Sequence, residues 1–155
     1  MTVAVIGLGN DLRRDDGIGP AVAREVATHA GPGVCVTVSD GDPAALLDAW
    51  TGADLAVIID AVVCDPPQPG NVHRLVPAEL GGTRAATSST HGIRLDDALR
   101  LGAVLGRLPH RTVILAVEVS DVELGRELSP AVRGALGTTV SAVLTEISEA
   151  CQRAP

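Results

Sequence analysis

Apolar residues along this chain follow two rhythms. Short unbroken runs alternate with longer stretches in which apolar positions return every three or four residues. The runs are Thr2 to Ile6, Val34 to Val38, Leu55 to Ile59 and Thr112 to Val117, and they predict strands buried on both faces. A helix is expected from about Ile18 to Thr28, with Pro20 in its first turn, where a missing N–H costs no hydrogen bond. Asp42-Pro43 reads as an N-cap and first-turn proline opening a second helix through Leu46, Leu47 and Trp50. A third, from about Ile93 to Leu105, places Leu95, Leu99, Gly102 and Leu105 on one side. The last follows Ser129-Pro130, and its stripe runs from Val132 and Ala135 through Val140 and Val143 to Ile147.

The rest is less periodic. Asp65-Pro66-Pro67-Gln68-Pro69-Gly70 reads as a turn, Val72 to Val76 as a fourth, shorter strand, and Pro77 to Thr90 as a long loop of the kind that often carries function. Strands alternating with amphipathic helices predict one domain over residues 1–155, a three-layer α/β/α sandwich around a mostly parallel sheet.

Composition narrows the chemistry. Hydrophobic residues make up 46%, yet there is no Phe or Tyr and only Trp50, so Val, Leu, Ile and Ala must fill the core. Lysine is absent and all 12 basic residues are Arg, which removes Schiff-base chemistry and the phosphate-binding lysine of a P-loop. A net charge of −7 without a basic run argues against nucleic-acid binding. No apolar stretch is long enough to span a bilayer, and the first residues carry no basic leader, so a cytoplasmic protein without membrane contact is expected. Cys35, Cys64 and Cys151 lack metal-ligand spacing and read as reduced thiols. An acidic surface with no evident apolar stripe points to a monomer.

Three residues stand where an α/β sheet gathers ligands. Asp16 lies in the loop Gly7-Leu8-Gly9-Asn10 to Asp15-Asp16-Gly17-Ile18-Gly19, Asp60 ends the run Leu55 to Ile59, and His91 stands in Ser89-Thr90-His91-Gly92. A dinucleotide fingerprint would need a third glycine where Leu12 stands, and two acids at the helix mouth would repel a pyrophosphate. A phosphoryl-accepting receiver site would need a lysine. There is no Gly-x-Ser-x-Gly elbow for a serine nucleophile.

Asp16 reads equally as a helix cap or a ligand. Asp60 favours function, because a carboxylate after five buried aliphatics is costly unless paired or bound to a cation. His91 at a helix start should stay neutral, the ligand form of imidazole. Cys64 reads as packing, and His29, His73 and His110 receive no role.

Together these residues carry a family pattern. Gly7-x-Gly9-Asn10, Asp15-Asp16-Gly17-x-Gly19, Asp60 and Ser89-Thr90-His91-Gly92 resemble the [NiFe]-hydrogenase maturation proteases. The segment Val117-Glu118-Val119-x-x-Val122-Glu123-Leu124-Gly125-x-x-Leu128-Ser129-Pro130 looks like the same family's post-strand motif. The likeness implies a phosphorylase/hydrolase-like fold whose five-stranded sheet has one antiparallel strand, matching Val72 to Val76. It also implies a cytosolic endopeptidase that removes a short C-terminal extension from the nickel-loaded precursor of a hydrogenase large subunit. Asp16, Asp60 and His91 would then be the catalytic residues, contacting nickel carried by the substrate, with no permanent metal of the protease's own.

Two departures go with the likeness: position 16 is often Glu in the family, and Asp40-Gly41-Asp42-Pro43 replaces a glycine- and threonine-rich turn. The competing class is a non-enzymatic nickel-sensing or metallochaperone-like module using the same triad.

Overall fold

The computed structural model describes residues 1–80, 86–88 and 92–154, the side chains of 86–88 and 92–94 excepted. Its elements in chain order are β1 (Val3–Leu8), α1 (Ile18–Ala27), β2 (Val34–Ser39), α2 (Pro43–Trp50), β3 (Leu55–Cys64), β4 (Val72–Leu75), β5 (Ala86–Ser88), α3 (Gly92–Leu105), β6 (Arg111–Glu118) and α4 (Pro130–Arg153). Short 3₁₀ turns lie at Arg14–Gly17 and Pro77–Glu79.

The main sheet has the order β2-β1-β3-β6-β4. Its first four strands are parallel, and β4 runs antiparallel along the β6 edge, with Val72 opposite Val117. The antiparallel strand is therefore where the family resemblance implied it.

Alternation along the strands sorts two cores. Val5, Val57, Ile59 and Leu115 face α1 and α4, packing against Ile18, Val22, Val132 and Val143. Ile6, Ala56, Ile58 and Ile114 face α2 and α3, packing against Leu46, Trp50, Leu95 and Leu99. In the absence of Phe and Tyr, β-branched side chains fill both layers, and their stiff rotamers suit a strand buried on two faces.

Two expectations fail here. First, β3 does not stop at Ile59 but continues to Cys64, so Asp60 sits inside the strand, with Ala116 of β6 as its partner. The strand tolerates the acid because β1 has already ended: Gly7 pairs with Ile59, and beyond that point one edge of β3 is open. Second, the stretch read as a loop contains β5, which pairs antiparallel with the far end of β3 through Val63 and Cys64. β5 thus pairs with the part of β3 that extends beyond its last partner in β1. Three residues with no apolar run give no periodic signal, so only the tertiary partner reveals them.

The surface differs as well. Leu101, Val104, Leu105 and Leu108 are exposed around the end of α3. The expected stripe of that helix holds at Leu95, Leu99 and Gly102 but not at Leu105. No described helix is long and apolar enough to cross a membrane.

Candidate active site

The strand order places a topological switch between β1 and β3. From β1 the chain crosses over one face through α1 to β2, then returns over the other face through α2 to β3. Connections leaving neighbouring strands in opposite directions open a crevice at their carboxyl ends, where ligands bind in open α/β sheets. The loop after β1 and residue Asp60 of β3 both lie there.

Glycine makes the approach possible. A Cβ on Gly7 would stand 2.3 Å from the Gly19 carbonyl oxygen, and one on Gly19 would stand 2.1 Å from that of Leu8 and 2.9 Å from that of Ile59. The N-terminus of α1 therefore lies directly on the ends of β1 and β3, closer than any side chain allows. Gly9 adopts φ +144, and its missing side chain leaves room for the Asp16 carbonyl.

Asp15 and Asp16 are both buried in the 3₁₀ turn, 0% and 4% exposed, yet their environments differ. Asp15 is an anchor. Its Oδ1 accepts from the Ser129 amide at 2.7 Å, while Oδ2 accepts from the Ser129 hydroxyl at 2.9 Å and from the amides of Asp121 and Ser120 at 3.2 and 3.4 Å. Arg13 and Arg14 add bonds to the carbonyls of Val122 and Leu124, and Arg14 pairs with Asp121 at 3.0 Å. The segment after β6 is thus a brace that holds the turn. Ser129 stands at the N-cap of α4, but its hydroxyl serves Asp15 instead of capping the helix.

Asp16 has a different task. α1 is capped by Gly17 with no side-chain bond, so the capping role open to Asp16 falls away. Its Oδ2 accepts from the Asn10 amide at 2.9 Å, folding back onto the loop from β1. The turn that carries it packs on β3.

Asp60, 3% exposed, alternates with Ile59 and so shares the strand face of Ile58 and Val62. Two buried carboxylates thus stand on elements in contact at the switch point. His91, the third expected member, lies outside the described residues. Ser88 pairs with Val63, three positions beyond Asp60, and Gly92 opens α3.

Sequence reasoning passed over a second polar cluster. Cys64 of β3, His73 of β4 and Glu118 of β6 present one donor atom each, all within 4.8 Å of one another. His73 Nε2 lies 2.7 Å from Glu118 Oε2, and Glu118 Oε1 accepts from the Gln68 amide at 3.1 Å. Burial, together with the hydrogen bond to Glu118 and its negative charge, pushes the Cys64 thiol up to about 11. Burial pushes the Glu118 carboxyl upward too, but bonds from His73, Gln68 and Cys64 outweigh it and hold the group below its ordinary value. Cys64 is therefore more than packing, and His73, given no role from the sequence, stands in the expected strand as a member of the cluster. Linear spacing hid the cluster because each member comes from a different strand.

The molecule is an α/β/α sandwich with two buried acids at its switch point, and comparison with known proteins gives its kind. A family model of hydrogenase maturation proteases matches residues 20–146. The chain belongs to that family, and it is an endopeptidase.

Among curated relatives, the hydrogenase 2 maturation protease of Escherichia coli K12 is 26% identical over 151 residues, covering 96% of this chain and 92% of its own length. The hydrogenase expression/formation protein HupD of Thiocapsa roseopersicina is 27% identical, covering 95% and 68%. The structure of the E. coli hydrogenase maturating endopeptidase HybD superposes with a TM-score of 0.81 at 25% identity, covering 97% of this chain and 94% of its own. That of the [NiFe] hydrogenase maturation protease HybD from Thermococcus kodakarensis gives 0.77 at 26%, covering 94% and 98%.

Proposed function

We propose that this endopeptidase removes the C-terminal extension from the nickel-loaded precursor of a [NiFe]-hydrogenase large subunit, with Asp16, Asp60 and His91 contacting the substrate's nickel. The observation that carries this reading is the pair Asp16 and Asp60. Both are buried carboxylates, on elements in contact at the switch point of a sheet whose relatives are maturation proteases.

The chemistry follows from charge. Two carboxylates near each other repel, and a divalent cation between them reverses the sign of that interaction. A precursor that brings its own nickel supplies that cation, and imidazole with carboxylate is a suitable donor set for it. The site would then discriminate loaded from empty precursor by electrostatics. One carboxylate accepts a proton from the attacking water, the scissile C–N bond breaks after water adds to its carbonyl, and the proton passes to the leaving amine.

The experiment mixes purified chain with nickel-loaded or nickel-free precursor and follows precursor mass. Loss of the extension from the loaded form alone is expected. Asp16→Asn, Asp60→Asn and His91→Ala should each abolish the cut while the folded state persists. Cleavage of nickel-free precursor at the same rate would refute metal sensing. Nickel binding without any cut would refute this precursor as the substrate.

A further inference from the structure

We propose that Cys64, His73 and Glu118 form a second cation site, selective for a borderline divalent ion of the zinc class and separate from the processing centre. Three observations support it. The donor set is mixed, a thiol, an imidazole and a carboxylate, each a donor type that zinc accepts, and three protein donors leave the fourth tetrahedral position open. Hard cations such as Mg²⁺ and Ca²⁺ prefer oxygen donors throughout, so sulfur in the set excludes them.

The donors also stand on a rigid frame. Val62 pairs with Glu118 across β3 and β6, and His73 pairs with Ala116 across β4 and β6, so the sheet's own hydrogen bonds fix the Glu118 and His73 backbones, while Cys64, two residues past the Val62 pair, is paired with Ala86 of β5 at a register shift. Tetrahedral zinc at bond lengths of about 2.0–2.3 Å needs donors roughly 3.3–3.6 Å apart. The present spread of up to 4.8 Å, with the His73–Glu118 pair at 2.7 Å, brackets that value.

Burial and access are divided as a binding site requires. Cys64 and Glu118 are buried, whereas the His73 side chain is 42% exposed on the edge strand and gives the ion a way in. The Gln68 amide holds the second Glu118 oxygen, the kind of outer hydrogen bond that orients a ligating carboxylate.

The site is distinct from Asp60. Cys64 lies four residues further along the same strand, about 13 Å of strand rise. One ion cannot serve both. Bound there, a cation would tie the antiparallel edge strand β4 to β3 and β6.

Cobalt(II) replaces zinc in such sites and reports a thiolate ligand by a charge-transfer band. The test titrates chelator-treated full-length protein with Co²⁺, and separately follows thermal unfolding with and without Zn²⁺. Wild type should bind one equivalent with the thiolate band, and Zn²⁺ should raise its unfolding temperature. Cys64→Ser should lose the band, and His73→Ala should bind at least about 100-fold more weakly, since removing a ligand costs no less than removing an outer-shell partner. His73 is half-exposed, so this variant folds even if Cys64→Ser does not. The doubles Cys35→Ser/Cys151→Ser and Asp16→Asn/Asp60→Asn should keep both the band and the Zn²⁺ shift. Absence of the band in wild type, its survival in Cys64→Ser, or its loss in either double overturns the proposal.

Discussion

Asp15 and Asp16 are neighbours of the same residue type, equally buried, and the structure assigns them opposite consequences on mutation. Asp15→Asn is the sharper test. The carboxylate accepts four hydrogen bonds, and an amide can keep only the ones at a single oxygen. If the amide oxygen takes the Oδ2 position, its NH₂ group faces the Ser129 amide, which is itself a donor.

The shortest of the four bonds, at 2.7 Å, is then lost. A hydrogen bond to a charged group contributes about 1.5–3 kcal/mol, and a buried donor left unsatisfied costs about 1–3 kcal/mol. The three surviving bonds also lose their charge assistance, which makes up roughly half their strength. These effects overlap, so the expected loss is about 3–5 kcal/mol rather than their sum. For a chain of this length that is roughly 6–20 °C in unfolding temperature. Asp16→Asn keeps an oxygen for the Asn10 amide and should stay within about 1 kcal/mol of wild type. Denaturant unfolding of both variants measures the contrast. Asp15→Asn within about 1 kcal/mol of wild type would refute the brace.

Other outcomes follow from the same geometry. Gly19→Ala puts a Cβ 2.1 Å from a β1 carbonyl that cannot move, so it should cost about 3 kcal/mol or more by denaturant unfolding, the upper end for overpacking. Normal stability would mean that α1 does not lie on the strand ends. Asp54 is held below its usual value of 3.8, first by the Thr2 amide and then, against opposing burial, by the N-terminal ammonium and His110. A lowered carboxyl stabilises the fold above its unfolded value and loses that contribution as pH falls through the folded one. The stability gap between wild type and Asp54→Asn should therefore be full at neutral pH and vanish well below pH 3.8, and a gap independent of pH would contradict it. Cys35 and Cys151 are exposed, whereas Cys64 is buried with a thiol near 11, so only about one in a thousand Cys64 groups is ionised at pH 8. Alkylation followed by mass should show two rapid additions and a third only on unfolding; three equal rates would contradict the burial.

The layered fold was legible because its signals are local. Apolar runs gave five strands, and the Asp42-Pro43 and Ser129-Pro130 signals gave two helix starts that the structure keeps at Pro43 and Pro130. The side-chain bond that caps a helix proved local at Asp42, whose Oδ2 accepts from the Ala45 amide at 3.0 Å. At Ser129 it did not, because a carboxylate more than a hundred residues away claimed the hydroxyl. Asp60 was noticed as an acid after aliphatics, yet its place within β3 was not, since a charge in the pattern reads as a strand end. Only the early departure of β1 and the arrival of β5 explain why the strand runs on.

The same contrast separates the two polar centres at this end of the sheet. Asp16 belongs to a dense glycine-rich motif, and its neighbours in sequence are its neighbours in space, as the Asn10 bond shows. Cys64 and His73 belong to no motif and Glu118 lies in a motif that names neither of them, because the three come together only across three strands. A loop-borne site needs particular residues to shape its backbone and so leaves a trace in the chain. A sheet-borne site inherits its geometry from the ladder, and the only residues it must specify are the donors themselves. Chemistry built on strand ends is therefore the part of an α/β protein that sequence reading alone is most prone to miss.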